Sequence, residues 1–163
     1  MRILLSGLLL TGALMAQAAQ QAPPAPKMFS SAADVQALIA EAKGERKEGQ
    51  PQVTKRILAL APYNANLEYR ASVGPASVHE TEAEFFYVIE GSATMVTGGK
   101  LVKETRTNPA NLTGTGIEGG TPRAVAKGDF IAVPEGTAHW FSAIDQTLVL
   151  MTLHVPRPVP AAH

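Results

Sequence analysis

Short apolar runs separated by turn-forming residues extend from Val53 to His154, and this rhythm constrains the fold more than any other feature of the sequence. No helical pattern intervenes between the runs, which favours an antiparallel sandwich or barrel over a parallel sheet. A chain of 163 residues suits one domain with a single core. We predict strands, punctuated by glycine and proline, over 53–60, 66–73, 83–90, 92–97, 122–126, 129–133, 138–143 and 147–154.

The first residues are typical of a secretory signal peptide. Arg2 is followed by an apolar run that reaches Met15, and Ala16 and Ala18 form the small-residue pattern that a signal peptidase cleaves. The run is shorter than the ~20 apolar residues that a membrane span requires. We therefore predict a signal peptide over 1–18 and a periplasmic or secreted protein without a stable membrane anchor.

Three further segments frame the strands. A proline-rich linker is predicted over 19–30. A helix is predicted over 31–50, because a serine and an aspartate three residues later resemble a capping box and apolar residues recur behind them at helical spacing. The strands then make one barrel domain over 51–155, and the prolines of 156–163 indicate an extended tail.

The composition limits the chemistry that this chain can perform. Fourteen basic residues balance fourteen acidic ones, so no excess of positive charge favours nucleic acid as a partner. Cysteine is absent, which excludes disulfides, thiolate metal sites and thiol nucleophiles. Any metal or acid–base chemistry must therefore use the four histidines together with carboxylates, tyrosine or lysine.

Two segments carry the residues of a candidate site. The first has four residues between His79 and Glu84 and six between Glu84 and Gly91. The second ends at His139 and reads Gly-Asp-Phe-Ile-Ala-Val-Pro-Glu-Gly-Thr-Ala-His. Together they resemble the two motifs of the cupin family in spacing and in order. The resemblance implies an antiparallel jelly-roll β-barrel, preceded here by one short helix, and a divalent metal held by His79, Glu84 and His139.

Side-chain alternation along the strands supports the same site. Residues two apart on a strand share a face, so the two imidazoles and the carboxylate converge if their faces line the barrel interior. A buried, ionised carboxylate is costly unless a cation accompanies it. Two histidines and one carboxylate suit iron(II), and manganese, zinc, nickel or copper could also bind there. The same faces predict a pocket lined by Ser77, Phe86, Val88, Phe141 and Ala143.

Two positions depart from the cupin pattern. Ser77 stands where the first histidine is expected, and Ala143 stands where an asparagine is expected. The site would keep three protein ligands, which leaves positions open for water or substrate, as catalysis at a metal requires. The departures are equally consistent with a family member that has partly lost its metal. A lone histidine or glutamate is also more often structural or solvated than a ligand.

The segment 92–127 is long, and its middle is rich in threonine, asparagine and glycine. Loops beyond ~12–15 residues without periodicity are often lids, binding loops or disordered. We expect this segment to cover the barrel mouth or to reach a partner subunit, with a surface excursion as the alternative. It contains a Gly-x-Gly-x-x-Gly run from Gly114, but without the strand and helix that dinucleotide binding requires.

Several functions and partners stay open at this level. The chain is predicted to be a metal-dependent oxygenase, isomerase or lyase acting on a small organic molecule, and the alternatives are a non-catalytic small-molecule binder and a metal-free structural barrel. His154 is a weaker candidate, because its strand could turn it to the interior or outward. Phe85, Tyr87 and Ile89 alternate with Glu84 and would pack on the outer face, which favours a homodimer.

Overall fold

The computed structural model describes residues 25–157. The predicted signal peptide at 1–18, the first part of the predicted linker and the end of the predicted tail therefore lie outside the described residues. Within residues 25–157, no helix is long and apolar enough to cross a membrane. The elements are α1 (Ala32–Glu45), β1 (Gln52–Leu60), β2 (Tyr63–Arg70), β3 (Ala76–His79), β4 (Glu82–Thr97), β5 (Lys100–Val102), β6 (Thr105–Asn108), β7 (Asn111–Gly114), β8 (Gly116–Glu118), β9 (Thr121–Ala126), β10 (Phe130–Val133) and β11 (His139–Pro156).

Nine of these strands form one antiparallel sheet, which makes the jelly-roll barrel. Its main path runs β1-β2-β11-β3-β7-β6, and β4 pairs with β11 on one side and with β9 and β10 on the other. The short strands β5 and β8 form a separate two-stranded ribbon. The predicted fold class, an all-β antiparallel jelly-roll barrel with one short N-terminal helix, is confirmed.

Alternation along β2 and β11 divides the apolar residues between two cores. The outer faces of these strands pack with β1 against α1, where Ile39 and Ala42 of the helix meet Leu67 and Val149. The opposite faces fill the barrel interior, and each large side chain buried there contributes about 1.5–3 kcal/mol. The even-numbered residues from Leu148 onward therefore face the interior. The interior core comprises Phe86, Val88, Ala93, Met95, Val125, Val133, Phe141, Leu148 and Leu150.

The helix is shorter than the predicted 31–50 segment. Its capping box is present, since the Ser31 hydroxyl accepts from the Asp34 amide and the Asp34 carboxylate accepts from the Ser31 amide. At the other end Arg46 is already extended, with φ −62° and ψ 128°. The polar run behind it holds glycine at position 49 with φ +77°, which L-amino acids with a side chain rarely adopt. The last predicted turn therefore does not form.

Two pairs of predicted strands are continuous. The runs at 83–90 and 92–97 belong to β4, and those at 138–143 and 147–154 belong to β11. Gly91 permits this because it adopts φ +86° and lies against the next strand, where a Cβ would be 2.0 Å from the carbonyl oxygen of Thr147. Bulges in β11 bend the pair at the same level, so both strands pass from one part of the barrel to the next without a break.

The segment 92–127 is folded into strands throughout most of its length. Between the predicted strands at 92–97 and 122–126, where a loop was expected, β5 to β8 form. β7 pairs with β3 and so joins the main sheet, and β6 pairs with β7. These pairings satisfy backbone groups through partners distant in sequence, which the local composition does not reveal. The segment is thus part of the barrel wall beside the candidate site.

Candidate metal centre

His79, Glu84 and His139 come from three strands and meet at one end of the barrel. His79 is the last residue of β3, Glu84 lies on β4 and His139 begins β11. Nε2 of His79 lies 3.2 Å from Oε2 of Glu84, and Nε2 of His139 lies 3.0 Å from the same oxygen. The Glu84 side chain is only 5% exposed. The backbone fixes the position of His79 as well, because the amide of Gly136 donates a hydrogen bond to its carbonyl oxygen at 2.7 Å.

His154 joins these residues. It is the cross-strand partner of Glu84 in the pairing of β4 with β11, and directly opposed residues have Cβ atoms about 5 Å apart. Its Nε2 lies 3.3 Å from Oε1 of Glu84, while its Nδ1 lies 3.3 Å from a carboxylate oxygen of Glu82. Ligand atoms of His79, Glu84 and His154 all lie within 4.8 Å of one another. Three imidazoles therefore surround one carboxylate.

Two of the imidazoles are oriented by acceptors on their outer nitrogens. Nδ1 of His79 donates to Oδ1 of Asn111 at 2.9 Å, and Nδ1 of His139 lies 3.2 Å from the carbonyl oxygen of Thr137. A neutral imidazole with its proton on Nδ1 has a lone pair on Nε2. Both Nε2 lone pairs therefore point toward Glu84, which is the tautomer of a metal-ligating histidine.

The electrostatics of the cluster follow from its burial and its close contacts. Burial raises the pKa of Glu84, but the three imidazoles outweigh it and hold that pKa far below its usual range, so the carboxylate is ionised. Burial lowers the pKa of His79, and the contacts with Glu84 and Asn111 reverse this to a net rise. Contact with Glu84 raises the pKa of His154 despite its desolvation. The carboxylate thus draws positive charge into the site.

The donor set fits a divalent cation. Oε2 of Glu84 is buried and, among the residues described, receives no hydrogen bond in good geometry, although two ring nitrogens lie beside it. Oxygen and nitrogen atoms that share a metal at about 2.1 Å, at angles between octahedral and tetrahedral, lie about 3.0–3.4 Å apart. The contacts of Oε2 with His79 and His139, at 3.2 and 3.0 Å, and the contact of Oε1 with His154, at 3.3 Å, fall within this spacing. The group of ligand atoms that all lie within 4.8 Å of one another comprises His79, Glu84 and His154, and His139 adjoins it through its contact with Oε2 of Glu84.

The cluster opens into a cavity of about 310 Å³, at the lower end of the range for small-molecule sites. Ser77, one of the predicted lining residues, is in its wall and is the cross-strand partner of His139. The serine therefore borders the site but supplies no imidazole ligand. The full lining is Pro51, Gln52, Glu68, Arg70, Pro75, Ser77, His79, Glu84, Thr113, His139 and His154.

The other predicted lining residues lie elsewhere. Phe86, Val88 and Phe141 are buried in the core beneath the cavity, where the Phe86 ring centroid is 6.0 Å from that of His139. Ala143 is exposed. A bulge between Phe141 and Ala143 inserts one residue into β11, and a one-residue shift turns a side chain to the opposite face of the sheet. Alternation counted from His139 therefore fails at this position.

Three residues of the site carry no motif signal in the sequence. Asn111 belongs to the segment 92–127, and only the pairing of β7 with β3 places it opposite His79. Glu68 and Arg70 lie on β2. Two charged residues on one face of a predicted strand were the only sequence pattern that could have indicated charged side chains in the barrel interior. Their side chains form an ion pair with an N···O distance of 2.6 Å in the cavity wall.

The fold and the site together define a β-barrel with a cluster of imidazoles around a carboxylate at one end. A family model described as Cupin matches residues 52–158, more than half of the chain. The chain therefore belongs to the cupin family. Comparison with curated protein sequences found no match.

Solved structures share the barrel at low sequence identity. BH2720 from Bacillus halodurans is 16% identical with a TM-score of 0.52, and the match covers 85% of this chain and 88% of that one. The DMSP lyase DddQ from Ruegeria pomeroyi DSS-3 is 18% identical with a TM-score of 0.51, over 85% and 70% of the two chains. The iron(II) form of HppE is 16% identical with a TM-score of 0.51, over 68% and 54%. The chain thus matches about half the length of HppE, and these likenesses show the fold alone.

Proposed function

We propose that this cupin binds a divalent transition metal through His79, Glu84, His139 and His154 and acts on a small organic molecule, as an oxygenase, an isomerase or a lyase. The observation that carries the proposal is the buried Oε2 of Glu84, which lies among imidazole nitrogens without receiving a hydrogen bond from the residues described. Three nitrogen ligands and one carboxylate suit iron(II), manganese, zinc, nickel or copper.

The chain's own residues prepare the site for such an ion. Asn111 and the Thr137 carbonyl hold the Nδ1 protons, so the Nε2 lone pairs stay directed inward. Phe86 forms part of an apolar floor, which lowers the local dielectric and strengthens electrostatic interactions with a bound molecule. The bound cation would supply Lewis acidity or redox chemistry there. The cavity of about 310 Å³ restricts the occupant to a small molecule.

The test is the metal content and metal affinity of the full chain. We expect one equivalent of zinc, used as a redox-inert probe, to bind the parent protein. Glu84→Gln and His79→Ala should each lower zinc affinity at least tenfold, because each removes a ligand. Glu118→Gln is the matched control, since it neutralises an exposed carboxylate on β8. Stoichiometric binding that is equally strong in Glu84→Gln and in the parent, or no binding by the parent, would contradict a metal centre.

We propose that His154 takes the ligand role of the histidine that Ser77 replaces. A double variant tests this proposal. His154→Ala should weaken zinc binding. Adding Ser77→His to that variant should restore part of the loss, because residue 77 lies opposite His139 at the edge of the same cavity. If His154→Ala binds zinc as the parent does, His154 is a neighbour of the site and not a ligand.

If the site holds a metal without turnover, the protein is a small-molecule binder, and if it holds none it is a structural barrel. Anaerobic loading with iron(II), followed by oxygen uptake with candidate substrates, separates the enzyme from the binder.

We further propose that the protein is exported and forms a homodimer. The support is the N-terminal sequence for export and, for the dimer, Phe130 and Phe85, which are 81% and 41% exposed on adjacent strands. N-terminal sequencing of exported protein and light scattering test the two statements.

A further inference from the structure

A second charged pair is buried in the cavity beside the candidate metal centre. Nε and Nη2 of Arg70 lie 2.8 and 2.6 Å from Oε2 of Glu68, and the two side chains are 14% and 11% exposed. Glu68 and Glu84 are the two buried carboxylates among the described residues. Glu84 is explained by the imidazoles around it, but the proposed metal site gives no role to Glu68 and Arg70.

Barrel stability alone gives no reason for this pair. Removing two charges from water is costly, and apolar residues of similar volume are often as stabilising as a buried ion pair. The interior-facing positions of the neighbouring strand, Leu148 and Leu150, show that the barrel accepts apolar residues directly opposite Arg70 and Glu68. A role in binding therefore accounts for the pair better than packing does.

The arrangement of Arg70 leaves part of its guanidinium group available. Glu68 accepts both of its hydrogen bonds through one oxygen, from the edge formed by Nε and Nη2. The guanidinium carbon lies 5.0 Å from the ring centroid of Phe141, a cation–π contact that fixes the plane of the group. Among the residues described, none accepts a hydrogen bond from Nη1. A guanidinium held in this way is preorganised for a planar anion.

We propose that Arg70 binds the carboxylate of a small organic acid, so that the molecules entering this cavity are carboxylate anions. This inference rests on the proposed function, because it places the acid beside the metal centre. With a divalent cation bound, the cation and Arg70 exceed the two buried carboxylates, Glu68 and Glu84, by one positive charge. Glu82, which lies beside His154, is 35% exposed, so solvent screens its charge. A monocarboxylate neutralises that charge in a site of low dielectric, where an unbalanced charge is most costly.

The experiment titrates acids into the zinc-loaded full chain and into its variants and measures each affinity by isothermal titration calorimetry. In the parent, nitrogen-15 NMR also follows the Nε–H resonance of Arg70. The probes are acetate, lactate, glutarate and benzoate, and 1,2-propanediol and benzyl alcohol serve as counterparts of lactate and benzoate without a carboxylate. Arg70→Lys keeps the charge but loses the planar fork. Because Arg70→Met alone would leave Glu68 unpaired, the second variant is Glu68→Gln with Arg70→Met, which removes both charges together.

We expect at least one acid to shift the Arg70 resonance and to bind at least tenfold more weakly to both variants, while the alcohols leave the resonance unchanged. Zinc titrations of the same variants should give the parent's affinity. If no acid binds, or if the acids bind the variants as tightly as the parent, the inference is overturned while the metal centre stands. If the parent binds no zinc, the proposed function fails, and the acid titrations of the metal-free protein decide the role of Arg70 by the same criterion.

Discussion

Replacement of Asn111 by alanine tests whether the segment 92–127 participates in the site. Asn111 accepts from Nδ1 of His79 at 2.9 Å, and the His79 side chain is 18% exposed, so water replaces this acceptor poorly. Without it, the ring can place its proton on Nε2, which removes the lone pair that faces Glu84. Loss of such an outer-shell partner typically lowers metal affinity about 10–100-fold, or about 1.4–2.7 kcal/mol.

The assay is competition for zinc between the full chain and a chromophoric chelator. Asn111→Asp, which keeps an acceptor oxygen, should restore the affinity. Asn108→Ala is the matched control, because Asn108 lies in the same hairpin and accepts from the Ala110 amide without touching His79. Zinc affinity in Asn111→Ala within twofold of the parent would refute the argument that this hydrogen bond fixes the tautomer. An equal loss in Asn108→Ala would assign the effect to the hairpin.

Three further expectations concern stability and pH. Gly91→Ala should destabilise the barrel on the order of 3 kcal/mol, because the left-handed backbone and a Cβ directed at Thr147 both add strain. Phe86→Ala should cost about 3–5 kcal/mol, because it empties a site that is 1% exposed. The pKa values of His79 and His154 are raised, so their protons stabilise the metal-free barrel below about pH 6.5 and this contribution is lost as pH rises through the raised values. The rise in melting temperature on adding zinc should therefore be larger at about pH 8 than at about pH 6.

Urea unfolding checks the first two expectations and differential scanning fluorimetry checks the third. Phe85→Ala is the control for Phe86→Ala, since Phe85 is 41% exposed and its truncation should change stability little. If the two phenylalanine variants are equally stable, Phe86 is not buried in the interior core as described. A Gly91→Ala barrel as stable as the parent would remove the argument for the bend there. If the zinc-induced rise in melting temperature does not increase with pH, zinc does not compete with the protons of His79 and His154, and the third expectation is wrong.

The sequence was sufficient for the class of fold and for the convergence of His79, Glu84 and His139. Strand rhythm depends on local turn residues, and the motif spacing places the three side chains on adjacent strands. The continuity of β4 and β11 was not predictable in this way, because Gly91 reads as a turn residue in sequence but serves as a bend inside a strand.

The remaining parts of the site depend on pairings between distant strands. Asn111 faces His79 because β7 joins β3, and His154 faces Glu84 because of the register between β11 and β4. No local sequence pattern indicates the register of either strand pair. Ala143 was predicted to line the pocket because side chains two residues apart on a strand share a face. A bulge before Ala143 breaks this alternation, and the local sequence does not indicate the bulge. Arg70 lay on a predicted strand whose inward face was unknown until the helix was placed on the other side.

His139 is the first residue of β11 and His154 lies two residues before its end, yet both imidazoles contact the same carboxylate. A straight strand would hold them about 50 Å apart. A cation bound by both would therefore tie the two ends of one curved strand together and close a loop that the unfolded chain would otherwise leave open. In a chain without cysteine, such a link would do what a disulfide does in other proteins. Metal loading should slow the opening of the barrel even when no substrate is present.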